Sequence, residues 1–461
     1  MTRNILLSIL TLLVICCLGM GLLTATGAVV LASGSKTATP RPTVTPMAPL
    51  PPIPTSALDQ NLPPAVVRQM NTIQDQVIQI RGLQPDKTLD RALLTPDQLQ
   101  QRVTDDFFKD YTTSQAADDV LELSLLGLVE PGFDLYDLYI KLYTEQVAGF
   151  YDSKTKEMFV VQGDNFQGME RMNYSHEYTH ALQDQNYDLQ QGMKVNEAYC
   201  KKNAEYCSAV QALFEGDASS VQQAWLTADA TEADRTQIQD FYSQYKSPVY
   251  DSAPPYLKKS FVFPYQQGLE FVMSLLDKGG YPAIDAAFKN PPVSTEQILH
   301  PDLYPNDVPA QVSMPDLLPV LGEGWRETDR NMLGELSTYL VLSQGLDEKY
   351  RLPDNQARKA AAGWGGDMLT VYSQDTTQDK AMAYRSRWDT PKDADEFWQA
   401  LQDYGKARWG SPSQSKTGQL VWDKTANGSV LIKRSGQDIL WIITPDSATT
   451  TQLLNTFTDF K

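Results

Sequence analysis

Two of the three histidines in this chain of 461 residues lie four positions apart, as His176 and His180 in the segment NYSHEYTHALQDQ. Side chains at positions i and i+4 lie on one face of an α-helix, so both imidazoles can bind the same metal ion. Glu177 lies about 100° around that helix, where it can approach a water near the ion without being a ligand. The segment therefore predicts a buried metal-binding helix over about residues 167–185. The alternative is a surface helix whose two histidines share this spacing by coincidence.

A third ligand is needed, because catalytic zinc is held by three protein ligands and keeps one position open. The only other histidine is His300, so a carboxylate is the better candidate. Glu215 lies in ALFEGDAS on a second predicted helix, where the small residues Gly216 and Ala218 would allow close packing against the histidine helix. The alternative is a solvated Glu215, with the role taken by another carboxylate: Glu197, Glu205 or Asp217.

Helical patterns dominate residues 65–345, interrupted by the polar turn DSKTK, which predicts a hairpin between Tyr151 and Met158. Residues 346–461 show a different pattern of predicted elements, strand-strand-helix-strand-strand-helix, which indicates a separate module. We therefore predict an α+β chain, in which a mainly helical domain with a small sheet precedes a smaller α+β module.

The combination of HEYTH with the downstream FEGDA resembles the gluzincin metallopeptidases, in which two histidines on one helix and a glutamate from a following helix bind catalytic zinc. The segments EQVAGFYDSKTKEMFVV and STEQILHP also look like those of a bacterial group of membrane-anchored or secreted proteins of this type. The resemblance covers roughly residues 65–309. It implies a zincin-like fold, one Zn²⁺ per chain bound by His176, His180 and Glu215, and a peptide or protein substrate.

The resemblance also implies a mechanism, in which zinc polarises the scissile carbonyl and Glu177 acts as the general base. An oxyanion needs a further donor, for which His300 and Tyr265 are the candidates, although His300 could equally be an ordinary loop residue. Relatives offer an exposed edge strand for substrate pairing, and EMFVVQG at residues 157–163 is the candidate here. Its alternative is an internal core strand.

The N-terminal residues 1–35 carry no charge between Arg3 and Lys36, a run long enough for a membrane-spanning helix, which takes about 20 apolar residues. A cleaved signal peptide is the competing interpretation. Residues 36–64 are rich in Pro and Thr and predict an extended linker. We expect a single-pass membrane protein whose bulk lies outside the cytoplasm, or alternatively a secreted one.

The net charge excludes one class of protein, and the cysteines predict a disulfide. The net charge of −18 argues against a nucleic-acid-binding protein, which needs clustered Lys and Arg. Cys200 and Cys207 flank a short polar loop, and in an oxidising compartment a local disulfide is favoured over two free thiols.

The leading hypothesis is a membrane-anchored zinc metallopeptidase. The alternative is a non-catalytic cell-envelope protein with a structural zinc site and a partner-binding C-terminal module. Glu177 favours the enzyme, because a structural site needs only its ligands. The same residues would also serve another zinc-dependent hydrolysis, such as that of a cell-wall peptide.

Overall fold

The computed structural model describes residues 62–102, 104–105, 111–147, 149–161 and 166–460. The predicted anchor at residues 1–35 and nearly all of the predicted linker lie outside these ranges. Within them, none of the helices combines the length and the apolar character that crossing a membrane requires.

Helices dominate the first two thirds of the described chain. The elements up to residue 299 are α1 Pro64–Arg81, β1 Asp90–Leu94, α2 Pro96–Arg102, α3 Thr113–Leu125, α4 Leu135–Gln146, β2 Gly149–Asp152, β3 Glu157–Val161, α5 Gly168–Tyr187, α6 Glu197–Cys200, α7 Ala204–Ala228, α8 Glu232–Gln244, α9 Pro248–Ser252, α10 Pro255–Lys289 and α11 Thr295–Leu299. The long α10 is interrupted at Gly279 and Gly280, whose backbone angles are not helical. The predicted disulfide is confirmed, since Cys200 is bonded to Cys207.

The three strands of this part form one small sheet in the order β1-β3-β2. The predicted hairpin is confirmed, because β2 and β3 pair antiparallel on either side of the DSKTK turn. The expectation that β3 is an edge strand is wrong. Strand β1 pairs with β3 in parallel on its other side, so β3 is internal and β2 lies at the edge.

The remaining elements are the seven strands of a second, larger sheet and the helices that accompany them. They are α12 Leu318–Leu321, β4 Trp325–Asn331, α13 Gly334–Ser343, α14 Asp354–Ala361, β5 Trp364–Gln374, β6 Lys380–Trp388, α15 Pro391–Trp409, β7 Gln414–Lys416, β8 Gln419–Thr425, β9 Gly428–Ser435, β10 Asp438–Thr444 and α16 Ser447–Leu454, with 3₁₀ turns at Glu348–Tyr350 and Thr458–Phe460. The seven strands are ordered β4-β5-β6-β10-β9-β8-β7, and all neighbours are antiparallel.

This sheet has more strands than the sequence pattern predicted. Residues 419–444 form three strands where two were expected, because tight turns at Gly428 and Gly436, both with positive φ, divide the segment twice. The chain is α+β, as predicted. The predicted boundary at residue 345 falls between β4 and β5, which pair with each other.

One apolar core runs through both parts of the chain. It contains Leu123 and Tyr139 from the helical part together with Leu401 and Trp441 from the larger sheet and its covering helix. A hydrogen bond also joins the two parts, since the hydroxyl of Tyr404 on α15 donates to the backbone carbonyl of Leu126, directly after α3, at 2.8 Å. The helical part and the larger sheet are therefore packed as a continuous body.

Candidate metal centre

Helix α5 runs through the interior of the helical part, and all of its residues from Met172 to Asp184 are buried. Two of its buried polar side chains are satisfied locally, because the hydroxyls of Ser175 and Thr179 donate to backbone carbonyls one turn earlier. The observed span agrees with the predicted helix over 167–185. Burial on all sides agrees with the sequence of this helix, in which polar and apolar residues are not separated onto opposite faces.

Three predicted ligands converge at the middle of this helix. The Nε2 atom of His176 lies 3.2 Å from Oε2 of Glu215, and the Nε2 atom of His180 lies 3.3 Å from the same oxygen. The potential ligand atoms of the three residues all lie within 4.8 Å of one another, and all three side chains are buried. Two imidazole nitrogens and one carboxylate oxygen form a donor set suited to a transition-metal ion, so the residues fit a metal.

The other carboxylates considered for the third position lie elsewhere. Glu197 is exposed, and Glu205 accepts hydrogen bonds from the amide and hydroxyl of Thr295. Asp217 forms an ion pair with Arg81. Glu215 is therefore the carboxylate that the structure brings to the two histidines.

Glu215 is positioned by close contact between the backbones of α7 and α10. A Cβ atom on Gly216 would lie 2.2 Å from the carbonyl oxygen of Gly268, and one on Gly268 would lie 2.1 Å from that of Ala212. Neither glycine can be replaced without separating the two helices. The prediction that Gly216 permits packing against the histidine helix is therefore wrong, since the glycine faces α10.

The orientation of His180 is set by a buried chain of hydrogen bonds. Its Nδ1 lies 2.9 Å from Oε1 of Gln183, whose Nε2 donates to Oδ2 of Asp217 at 2.9 Å and to the carbonyl of Phe214 at 3.0 Å. Because the amide oxygen only accepts, Nδ1 carries a proton, so Nε2, which faces Glu215, is the nitrogen that would bind a metal ion after losing its own proton. Gln183 was missed in the sequence, although its i+3 spacing from His180 places it on the same face.

Gln183→Ala is expected to lower zinc affinity by about 10- to 100-fold, because His180 loses the partner that fixes its tautomer and ring orientation. Competition with a chromogenic chelator measures this affinity. The matched control is Gln191→Ala, at an exposed position shortly after the same helix, which should bind zinc as the native protein does. Equal affinities for the two variants would contradict the orienting role.

Asp217 and Asp184 are two buried aspartates near the candidate ligands, and they bond to different partners. Asp217 reaches His180 only through Gln183 and is itself held by Nε of Arg81 at 2.9 Å. Asp184 instead accepts hydrogen bonds from the hydroxyl of Tyr151 and from Nζ of Lys156. These bonds connect α5 to the β2-β3 hairpin.

Glu177 is fully buried beside the three ligands. Its Oε2 accepts a hydrogen bond from the backbone amide of Tyr151 on β2 at 2.9 Å, while its Oε1 has no hydrogen-bond partner among the described residues. Burial, reinforced by the charge of Glu215 and opposed by His180, raises the pKa of Glu177 to about 8. One oxygen is thus anchored, and the other belongs to a carboxyl group that can take up or release a proton near neutral pH.

The three candidate ligands shift one another's pKa values. Burial lowers the pKa of His176. Burial would also lower that of His180, but the neighbouring carboxylate of Glu215 raises it to about 9. Burial would raise the pKa of Glu215, yet the two histidines bring it below its usual value. Glu215 is thus an ionised carboxylate paired with a protonated imidazole, and a bound cation would take the place of that proton.

The two candidate oxyanion donors are placed differently. The ring of Tyr265 on α10 is buried, with its centroid 6.5 Å from that of His176. His300 pairs through Nε2 with Oε1 of Glu335 at 2.8 Å. The start of its helix is bonded to Glu205, which lies ten residues, or about 15 Å, along α7 from Glu215. The structure thus brings Tyr265 to the histidine helix, and His300 lies in a different polar group.

Comparison with known proteins adds one match. A protein-family model described as a domain of unknown function (DUF8575) matches residues 320–454, the region of the larger sheet. No curated protein and no solved structure matches the chain.

Proposed function

We propose that this protein is a zinc-dependent peptidase of the gluzincin type, with a zincin-like helical domain. The observation that carries the proposal is the position of Glu177, a buried carboxyl group beside two histidines and a glutamate with one oxygen free of hydrogen bonds. A structural zinc site requires its ligands alone and gains nothing from a further buried acid, whose burial costs free energy.

His176, His180 and Glu215 would hold the metal. When bound, zinc supplies a Lewis acid that polarises a carbonyl group and acidifies a water molecule. Glu177 accepts the proton of the attacking water at Oε1 and passes it to the leaving amine, while the amide of Tyr151 keeps its carboxyl plane fixed through Oε2. Tyr265 is the candidate donor to the developing oxyanion, because its ring lies beside His176.

Strand β2 supports the general base. Within the small sheet it pairs with β3 alone, and the amide of Tyr151 on this strand bonds to Glu177. All four residues of β2 are buried, so the anchor of Glu177 is shielded from water.

The proposal is tested by zinc content and casein cleavage in the purified full-length protein. We expect one zinc per chain, and we expect Glu215→Gln to weaken zinc binding by more than the roughly 10- to 100-fold loss that follows removal of a supporting hydrogen bond. Glu197→Gln is the matched control, because this glutamate is exposed and is not part of the buried ligand cluster. Native protein that binds no zinc when reloaded would overturn the proposal, and zinc binding without hydrolysis would favour the envelope-protein alternative.

A further inference from the structure

Three carboxylates from separate segments meet at the junction between the helical part and the larger sheet. They are Glu296 on α11, Asp307 in the loop that follows, and Asp389 directly after β6, and their oxygens lie within 4.8 Å of one another. Glu296 is only 1% exposed, and its Oε1 has no hydrogen-bond partner in the described chain. A carboxylate buried against two others without a donor is energetically costly in its ionised form unless a cation compensates its charge.

The backbone around these carboxylates is fixed by hydrogen bonds. The side chain of Gln297, next to Glu296, donates to the backbone carbonyl of Asp307. The amide of Asp389 donates to the carbonyl of Gly363 at 3.0 Å, and its own carbonyl accepts from the Gln437 side chain at 2.8 Å. The cluster is therefore preorganised rather than a chance approach of mobile side chains.

Room for the cluster depends on a glycine. A Cβ atom on Gly365 would lie 2.6 Å from Oδ1 of Asp389, so a larger residue would displace this carboxylate. The nearby cationic candidate, His300, is engaged by Glu335 instead. Burial, together with the charges of Glu335, Asp307 and Asp389, raises the pKa of Glu296 to about 10. The protein alone thus keeps Glu296 protonated at neutral pH, and a bound cation would take the place of that proton.

We propose that Glu296, Asp307 and Asp389 bind one Ca²⁺ ion, which links α11 and its following loop to the end of β6. A donor set made only of carboxylate oxygens suits a hard cation. Oxygens within 4.8 Å of one another can share one Ca²⁺, whose Ca–O distances are about 2.3–2.6 Å, and Ca²⁺ tolerates irregular geometry whereas Mg²⁺ requires a nearly ideal octahedron. Asp389 is exposed, so water can complete the coordination. This site is independent of the proposed hydrolase chemistry.

The test is calcium titration of the full-length protein after all metals have been removed and one equivalent of zinc restored. Calorimetry should give one Ca²⁺ per chain. Thermal unfolding with Ca²⁺ at 100 times its dissociation constant should shift upward by about 3–5 °C. Asp389→Asn and Asp307→Asn should each weaken calcium binding by about tenfold or more, because each removes one of three charged ligands.

Asp302→Asn is the matched control, since this exposed aspartate lies in the same loop and pairs only with Lys278 at the surface. It should bind Ca²⁺ as the native protein does. A His176→Ala variant that still binds Ca²⁺ would place the ion away from the zinc ligands. Native protein that binds no Ca²⁺ at millimolar concentration, or binding that survives both Asp→Asn substitutions, would overturn the proposal.

Discussion

Replacing Glu177 by Gln is expected to lower the rate of peptide hydrolysis by about 10²- to 10⁴-fold while zinc content stays at the native level. The amide has nearly the shape of the carboxylate and can still accept the hydrogen bond from Tyr151, so the fold around β2 should survive. It cannot take a proton from water. Steady-state cleavage of a fluorogenic peptide, with zinc measured on the same samples, separates the loss of the base from the loss of the metal.

The control for this substitution is Glu197→Gln, the same chemical change at an exposed position. Its rate should equal that of the native protein. If Glu177→Gln cleaved peptide at the native rate with zinc bound, another group would have to be the base, and the proposed role of Glu177 would be wrong.

The largest expected effect on stability comes from Arg81→Met, which should lower the free energy of unfolding by about 3–5 kcal/mol. Arg81 is fully buried, and its Nε lies 2.9 Å from Oδ1 of Asp217, which is also buried. Its Nη1 atom lies 2.8 Å from Oδ1 of Asp285. Removing the guanidinium leaves the Asp217 carboxylate without its cation in the interior. Urea unfolding at fixed zinc concentration measures the change.

Two further variants make this result specific. Arg68→Met, on the exposed surface of the same helix, should change stability by less than about 0.5 kcal/mol. Adding Asp217→Asn to Arg81→Met should recover part of the lost stability, because the buried charge is then removed. A loss below about 1 kcal/mol for Arg81→Met alone would show that the ion pair is not needed.

The local features of the site could be predicted from the sequence, since they depend on helical periodicity. The spacing of His176 and His180 fixes their common face, and α5 is observed almost where it was expected. The choice of Glu215 rested on the composition around it and on a family resemblance, and the structure brings this carboxylate to the histidines. Gln183 could have been found by the same periodicity.

Features that depend on distant segments could not be predicted. Strand β3 is internal because β1, more than 60 residues earlier in the chain, pairs with it, and no local pattern specifies that partner. Arg81 shows the same limit, since an arginine at a helix end ordinarily predicts a solvated side chain. The direction in which Gly216 packs was likewise decided by α10, about 40 residues later.

The core shared by the two parts of the chain makes the larger sheet part of the same folded unit as the candidate metal centre. Leu123 and Tyr139 belong to helices that precede the ligands, yet they pack in one cluster with Leu401 and Trp441. A chain shortened to the helical part would expose this apolar surface to water and would separate β4 from β5. We therefore expect such a shortened chain to fold poorly, and to lose the proposed activity together with its fold.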